Sequence, residues 1–429
     1  MRTGNSYYFL NLGCPKNQVD GNYIRGALNS LGFTENPYPD LADYLIVNTC
    51  AFIEQARQET LGEINELVPY KKNGVKLIAV GCYPSIYDIK RVSPSIDAAF
   101  GLNQVDKLLK FVTGKRNVCC NNLIFNRVVE NTPYAYVKIS DGCNNRCSYC
   151  TIPLIRGSYR SIPHKLIIDE VELLANKGIK EIIFVAQDTT LYGKDLKGGL
   201  DLADLCRMVS DIDGIEWIRI MYAHPAHLDD NLISRLFEIE KVCRYIDLPI
   251  QHISDKILSL MNRHCGTEKI KHIIKQLRNV DKNISLRTTL MVGFPGETDD
   301  DFKELVDFIE EIKFDYLGIF CYSPEENTAA ISLEEKFDPQ MAEEKLEMLY
   351  NIAEEISEDR AIIQIGKKQK LLIESQSAEN SGFYEARSCR QAPEIDGFYN
   401  IPARHDITPG QFVEAEIMDI DSANIIKGI

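Results

Sequence analysis

Cysteines are the residues of this chain whose type and spacing promise chemistry. Asp141-Gly142-Cys143-Asn144-Asn145-Arg146-Cys147-Ser148-Tyr149-Cys150 sets three thiols at C-x3-C-x2-C spacing. Three thiolates this close on one loop wrap a single metal centre. Tetrahedral zinc wants a fourth Cys or His nearby, and the nearest, His164, lies beyond a proline-bounded segment. An iron–sulfur cubane takes three cysteines and leaves its fourth iron open to another ligand. Three buried thiols without a metal are the bland alternative.

A looser set is formed by Cys14, Cys50 and Cys82. Each ends an apolar stretch: Asn11-Leu12-Gly13-Cys14, Val47-Asn48-Thr49-Cys50 and Ala79-Val80-Gly81-Cys82. If these stretches are parallel strands, the three thiols converge at one sheet edge, where a second cluster with an open iron would fit. Coincidence competes with that reading, because Cys is among the most buried residue types. The other seven of the 13 cysteines are Cys119, Cys120, Cys206, Cys243, Cys265, Cys321 and Cys389. They read as bystanders: Cys206 as helix core, Cys321 as strand core, and the adjacent Cys119-Cys120 pair as poorly placed to chelate one metal.

The elements that must position these thiols fall into three regions of an α/β chain. Residues 1–126 alternate short apolar runs with amphipathic stretches, the rhythm of a parallel βαβ sheet. Strands are expected at Tyr7–Asn11, Asp43–Asn48 and Val75–Val80, and helices at Val19–Leu31 and Phe52–Val68. Residues 130–360 repeat the alternation six times, with strands at Ala135–Ile139, Glu181–Ala186, Trp217–Tyr222, Tyr245–Ile250, Leu286–Val292 and Tyr316–Tyr322. Six units fall short of a closed eight-fold barrel and predict a partial one, (β/α)6. The C-x3-C-x2-C loop follows its first strand, at the carboxyl end where sites form in parallel sheets. A charged helix from Pro339 leads to residues 362–429, whose short strands (Lys367–Glu374, Phe383–Ala386, Gln411–Ile417, Asn424–Ile426) and turns predict a small antiparallel β-barrel.

Composition excludes several classes. The 429 residues are 45% hydrophobic and 26% charged, which is globular rather than disordered. No apolar run of about 18 residues spans a membrane, and no signal-peptide core follows the first Met, so a cytoplasmic protein is expected. In a reducing compartment its cysteines serve as ligands, reactive thiols or core rather than disulfides. The net charge of −15 argues against a general nucleic-acid binder.

The C-x3-C-x2-C loop, with Tyr149 just before its third cysteine, resembles that of the radical S-adenosylmethionine (SAM) superfamily. Together with the Cys14, Cys50 and Cys82 set, the whole chain resembles the methylthiotransferase family within it. That resemblance implies an N-terminal methylthiotransferase domain, a radical SAM core and a C-terminal TRAM domain. It implies two 4Fe–4S clusters, an auxiliary one on Cys14, Cys50 and Cys82 and a SAM-binding one on Cys143, Cys147 and Cys150. It also implies chemistry at an unactivated C–H bond: reductive cleavage of SAM to a 5′-deoxyadenosyl radical, hydrogen abstraction, and transfer of a methylthio group methylated by a second SAM. One branch of the family modifies tRNA adenosines; another modifies an aspartate of small-subunit ribosomal protein twelve. Gly13-Cys14-Pro15-Lys16-Asn17, Thr49-Cys50-Ala51-Phe52-Ile53-Glu54, Ala186-Gln187-Asp188-Thr189-Thr190, Leu248-Pro249-Ile250-Gln251-His252-Ile253-Ser254 and Ala392-Pro393-Glu394-Ile395-Asp396-Gly397 look like the second branch. Ser388-Cys389-Arg390-Gln391 departs from it.

Gln187, Gln251 and Arg287 lie on or just after core strands and, with Tyr149, are candidate SAM contacts or else satisfied structural groups. Gly293-Phe294-Pro295-Gly296-Glu297 is a second, weaker candidate. Seven histidines show no ligand spacing. From Gln364 to Ile429, 7 basic and 10 acidic residues sum to −3, which suits a basic ribosomal protein as partner better than tRNA. An electron donor is the other partner implied. A plain iron–sulfur electron carrier would explain clusters but not six βα units.

Overall fold

The computed structural model describes residues 4–72, 74–116, 123–334, 338–420 and 425–428, so Cys119, Cys120 and Asn424 lie outside the described residues. The chain forms two compact units. The first comprises Met1–Glu130, Asp141–Asn144 and Cys150–Glu170; the second comprises Asn131–Ser140, Asn145–Tyr149 and Val171–Ile429.

The first unit is built on a five-stranded, all-parallel sheet. Its order is Thr34–Glu35, Ser6–Asn11, Tyr44–Thr49, Lys76–Gly81, Ala98–Gly101. The central three are the expected strands; the two short edge strands were not expected. Alternate side chains bury on opposite faces, as a sheet covered on both sides requires. Leu45, Val47, Leu77 and Ala79 join one core, and Tyr7, Ile46, Ile78 and Val80 the other. Helices Pro15–Ser30 and Glu54–Leu67 follow the first two of these central strands. Pro15 opens its helix, a position where a missing N–H costs nothing.

The second unit holds six parallel strands in two sheets. Tyr134–Lys138, Glu181–Val185 and Trp217–Ile220 form one; Tyr245–Asp247, Ser285–Val292 and Tyr316–Cys321 form the other. A parallel bridge between Ile218 and Val242 runs between the third strand and the segment leading to the fourth. This is the expected six-stranded partial barrel. Its C-terminal part is a closed, largely antiparallel five-stranded barrel ordered Lys368–Gln376, Phe383–Ser388, Phe398–Pro402, Ile425–Gly428, Phe412–Ile420. Phe398–Pro402 is an additional strand. Among the described residues, no helix is long and apolar enough to cross a membrane.

This small barrel packs against the amino ends of the core strands, which is why it does not separate as a third unit. Glu181, the first residue of the second strand, accepts from Arg219 Nε at 2.6 Å and from Arg387 Nη2 at 2.7 Å. Arg387 also donates to Glu374 at 2.7 Å. The Tyr245 hydroxyl donates to Asp396 at 2.6 Å, and Arg390 donates to Asp315 at 2.8 Å. Trp217 stands edge-on to Phe412, their ring centroids 4.9 Å apart. Arg219, Arg387 and Glu181 are fully buried. Such charges are held only because each has an opposite partner; removing one partner strands the other.

Arg387→Met should therefore destabilise the second unit by about 3–5 kcal/mol. Lys370→Ala, which breaks the half-exposed Lys370–Glu216 pair, should cost less than about 1 kcal/mol. Urea unfolding followed through Trp217, the single tryptophan, measures both. An Arg387→Met midpoint equal to that of the parent would contradict the role given to this network.

Candidate functional site

Parallel register brings Cys14, Cys50 and Cys82 to one edge. Asn11 pairs with Asn48, and Asn48 with Val80. Each cysteine lies two or three residues beyond this row. Gly13, at φ +86°, makes the approach possible: a Cβ there would lie 2.9 Å from Cys50 Cβ and 3.0 Å from its Sγ. Asn17 ties the three loops together. Its Nδ2 donates to the carbonyls of Leu12 at 2.7 Å and Thr49 at 3.2 Å, and its Oδ1 accepts from Cys82 Sγ at 3.6 Å.

The electrostatics favour thiolates in a place where burial opposes them. Burial pushes the Cys82 thiol up to about 12, with Arg156 pulling it down and the charges of Cys14 and Cys50 adding to the rise. Burial also raises Cys50. At Cys14 burial is outweighed: Lys16, Arg156 and the backbone N–H groups of Asn17 and Lys16 hold the thiol below its ordinary value. Arg156 Nη2 lies 3.6 Å from Cys82 Sγ. Three thiols that sense one another, with cations acting on two of them, make a candidate ligand set. Among the described residues, the one set of three ligand atoms all within 4.8 Å of one another is Asp188, His224 and His227. Three cysteines suit an iron–sulfur cubane, which takes three thiolates and leaves its fourth iron to another ligand, better than tetrahedral zinc, which wants a fourth Cys or His.

The second cysteine motif is fixed at both ends by local bonds. In the first unit, the Cys143 N–H donates to Gly157 O at 3.1 Å. A Cβ on Gly142, at φ +75°, would lie 2.2 Å from Ser158 O, so only glycine passes there. In the second unit, Ser148 donates to Leu260 O through Oγ at 2.7 Å and to Met261 O through its N–H at 2.9 Å. Cys147 Sγ accepts from Arg263 Nη1 at 3.6 Å. Tyr149 stands edge-on to Phe294 at 6.4 Å, against a core that includes Ile257, Met261 and Met291.

Of the candidate SAM contacts, Gln187 and Gln251 follow the second and fourth core strands at their carboxyl ends. Both amide atoms of Gln187 and the Oε1 of Gln251 are buried without a protein partner. Buried polar atoms in that state need an acceptor or donor from elsewhere, and a polar ligand such as SAM supplies one. Arg287 is placed differently. It is the third residue of Ser285–Val292, and its guanidinium donates to Asp247 Oδ1 at 3.1 Å and Asp396 Oδ1 at 3.2 Å. Those bonds turn it toward the C-terminal barrel, so it leaves the set of SAM contacts. Glu297 of the glycine turn accepts from the Gly293 N–H and from Lys345.

Sequence reading missed a buried polar hub. Asp188 accepts from Asn145 Nδ2 at 2.9 Å, from the Thr190 hydroxyl at 2.5 Å, and pairs with His227 Nδ1 at 2.7 Å. His224 Nδ1 accepts the Ala226 N–H at 3.1 Å. A neutral imidazole that accepts on Nδ1 carries its proton on Nε2, and that Nε2 is buried without a partner. His224 is therefore a hydrogen-bond donor rather than a metal ligand. Arg263 Nε is a second buried donor without a partner. The i, i+3 spacing of His224 and His227 was the one available signal.

Comparisons with known proteins agree with this geometry. Family models match for the radical SAM superfamily over residues 137–309, the uncharacterized protein family UPF0004 over 6–101, and the TRAM domain over 365–426. The ribosomal protein uS12 methylthiotransferase RimO of Acetivibrio thermocellus is 41% identical over 97% of this chain and 96% of its own. Its counterpart in Thermotoga petrophila is 41% identical over 96% of each. The radical S-adenosylmethionine methyltransferase TsrM from Kitasatospora setae, solved with cobalamin and a [4Fe-4S] cluster, superposes with a TM-score of 0.57 at 15% identity, over 76% of this chain and 74% of its own. That last likeness concerns the fold. Partial barrel and family match define a radical SAM enzyme. Within that class, the chain belongs to the RimO family of ribosomal protein uS12 methylthiotransferases. It is an enzyme that transfers a sulfur-containing group, with 4Fe–4S clusters and SAM as its cofactors.

His224 yields a prediction. Burial first, then Arg263, lowers its pKa to about 2, against the pull of Asp188. An unfolded His titrates near 6.5. Acid therefore protonates the unfolded chain first, and this residue's contribution to stability is present above about pH 6.5 and lost as pH falls toward 2. Nitrogen-15 NMR of labelled histidine should show a neutral, Nε2-protonated ring from pH 8 down to pH 5. A ring that titrates near 6.5 in the folded protein would contradict the assignment.

Proposed function

We propose that this enzyme places a methylthio group on the β-carbon of an aspartate in ribosomal protein uS12. The observation that carries the reading is identity of 41% across nearly the whole chain to enzymes named for that substrate. Functional divisions at 1–126, 130–360 and 362–429 are supported by the three family matches, which fall inside them. Charge points the same way. Of the seven basic residues from Gln364 onward, Arg387 and Arg390 are spent on Glu181 and Asp315 of the core, so they are not presented to a polyanion. A basic protein suits the acidic remainder.

In this reading Cys14, Cys50 and Cys82 hold the auxiliary cluster, and Cys143, Cys147 and Cys150 hold the SAM cluster. When bound, clusters and SAM supply the radical and the sulfur that no acid–base pair could bring to an unactivated carbon. The chain's own residues bind, orient and shield. Gln187 and Gln251 meet polar groups of SAM, with Tyr149 beside it. Arg263 donates to the Cys147 sulfur. Asp188 fixes Asn145 inside the cysteine loop and holds His227 in place. The working compartment is the cytoplasm, where the ribosomal protein substrate named by the relatives is made, and a reductant protein supplies electrons.

Anaerobic reconstitution with iron, sulfide, SAM and reductant tests the substrate. Mass spectrometry should find one hydrogen replaced by SCH3 on an aspartate of uS12 and no change in tRNA. Modification of tRNA alone would overturn the proposal.

A further inference from the structure

Arg156 lies six residues past Cys150, the last of the six candidate ligands, yet its side chain is 1% exposed and sits on the auxiliary edge. Its Nη2 donates to Cys82 Sγ at 3.6 Å. Its Nη1 donates to Asp20 Oδ2 at 2.9 Å and to Asp141 Oδ1 at 3.1 Å. All of these residues belong to the first unit.

The segment that carries Arg156 begins at the other cysteine motif. Cys150 leads directly into Thr151, whose hydroxyl donates to Phe52 O at 3.0 Å, two residues beyond Cys50. The short helix Ile152–Arg156 follows. Gly157, the next residue, accepts the Cys143 N–H at 3.1 Å. One guanidinium therefore touches a ligand of one motif and, through Asp141, the entrance of the other. Two carboxylates balance this buried cation at Nη1, and its Nη2 is turned to the Cys82 sulfur.

We propose that Arg156 is a positioning residue that sets the reduction potential of the auxiliary cluster. The inference rests on the cluster assignment given above. An N–H aimed at a ligand sulfur stabilises the state carrying more negative charge, so it favours the reduced cluster and raises the potential. One electron enters the cluster from an external reductant, and no proton or bond change accompanies it. The carboxylates occupy Nη1 and leave Nη2 for the sulfur.

The test uses the full chain carrying Cys143→Ala, Cys147→Ala and Cys150→Ala, reconstituted so that only the auxiliary cluster remains, and titrated with dithionite under EPR. Adding Arg156→Gln should raise the ratio of oxidised to reduced cluster about tenfold at a fixed applied potential, a shift of about 59 mV for one electron. Arg156→Lys, which keeps the charge, should fall between. An unchanged midpoint with the iron content intact would overturn the proposal. If Arg156→Gln loses the iron, the lysine variant decides: recovery of the cluster supports the electrostatic role, and loss there too assigns Arg156 to folding and overturns it. Absence of any cluster signal in the starting triple variant would instead refute the assignment of Cys14, Cys50 and Cys82.

Discussion

Holding three ionisable thiols together where water is largely excluded is the constraint around which the first unit is arranged. Burial alone raises Cys50 and Cys82 and would keep them protonated. Thiolate ligands need compensation, and the fold delivers it from short range. Lys16 and the backbone N–H groups at the start of helix Pro15–Ser30 act on Cys14. Arg156 acts on Cys14 and Cys82 together. Close approach is possible because Gly13 carries no Cβ, and Asn17 stitches the three loops at their bases. Sheet register, glycine placement and buried cations all serve this one edge.

A parallel sheet has two unlike ends, and the second unit uses them differently. Toward their amino ends the core strands carry Glu181, Arg219 and Tyr245, with Asp315 just before the sixth, and these bind Arg387, the Cys389 carbonyl, Asp396 and Arg390 of the C-terminal barrel in that order. Buried charges of this kind are weak sources of stability but strict about which partner they accept. At and beyond the carboxyl ends, polar atoms of Gln187, His224, Gln251 and Arg263 are buried without a protein partner. The amino ends are closed by the small barrel, although Arg219 Nη2 and Ser285 Oγ stay unpartnered there too. Arg287 shows how sharp the division is, since only its position near the amino end of its strand separates a barrel anchor from a ligand contact.

What was legible in the sequence was what is local. C-x3-C-x2-C spacing is an eight-residue pattern, and the six apolar runs of the core are continuous because their strands are buried on both faces. Cys14, Cys50 and Cys82 could be placed at one edge because each stands just beyond such a run. Strands too short to show a period were missed: Thr34–Glu35, Ala98–Gly101 and Phe398–Pro402. So were buried arginines. Arg156, Arg219, Arg263 and Arg387 read as surface residues until their partners are known, and Glu181 lies 206 positions from Arg387. The tautomer of His224 depends on a backbone N–H two residues on, which no spacing rule reveals.

The central claim is that the two cysteine triads hold separate clusters, only one of which cleaves SAM. Iron and sulfide analysis with Mössbauer spectroscopy, paired with a SAM-cleavage assay, tests it on the reconstituted enzyme and on Cys14→Ala, Cys50→Ala, Cys82→Ala. The parent should hold two 4Fe–4S clusters; the triple variant should hold about half the iron and still cleave SAM. A variant that keeps all its iron, or loses SAM cleavage along with half of it, would contradict the two-site arrangement.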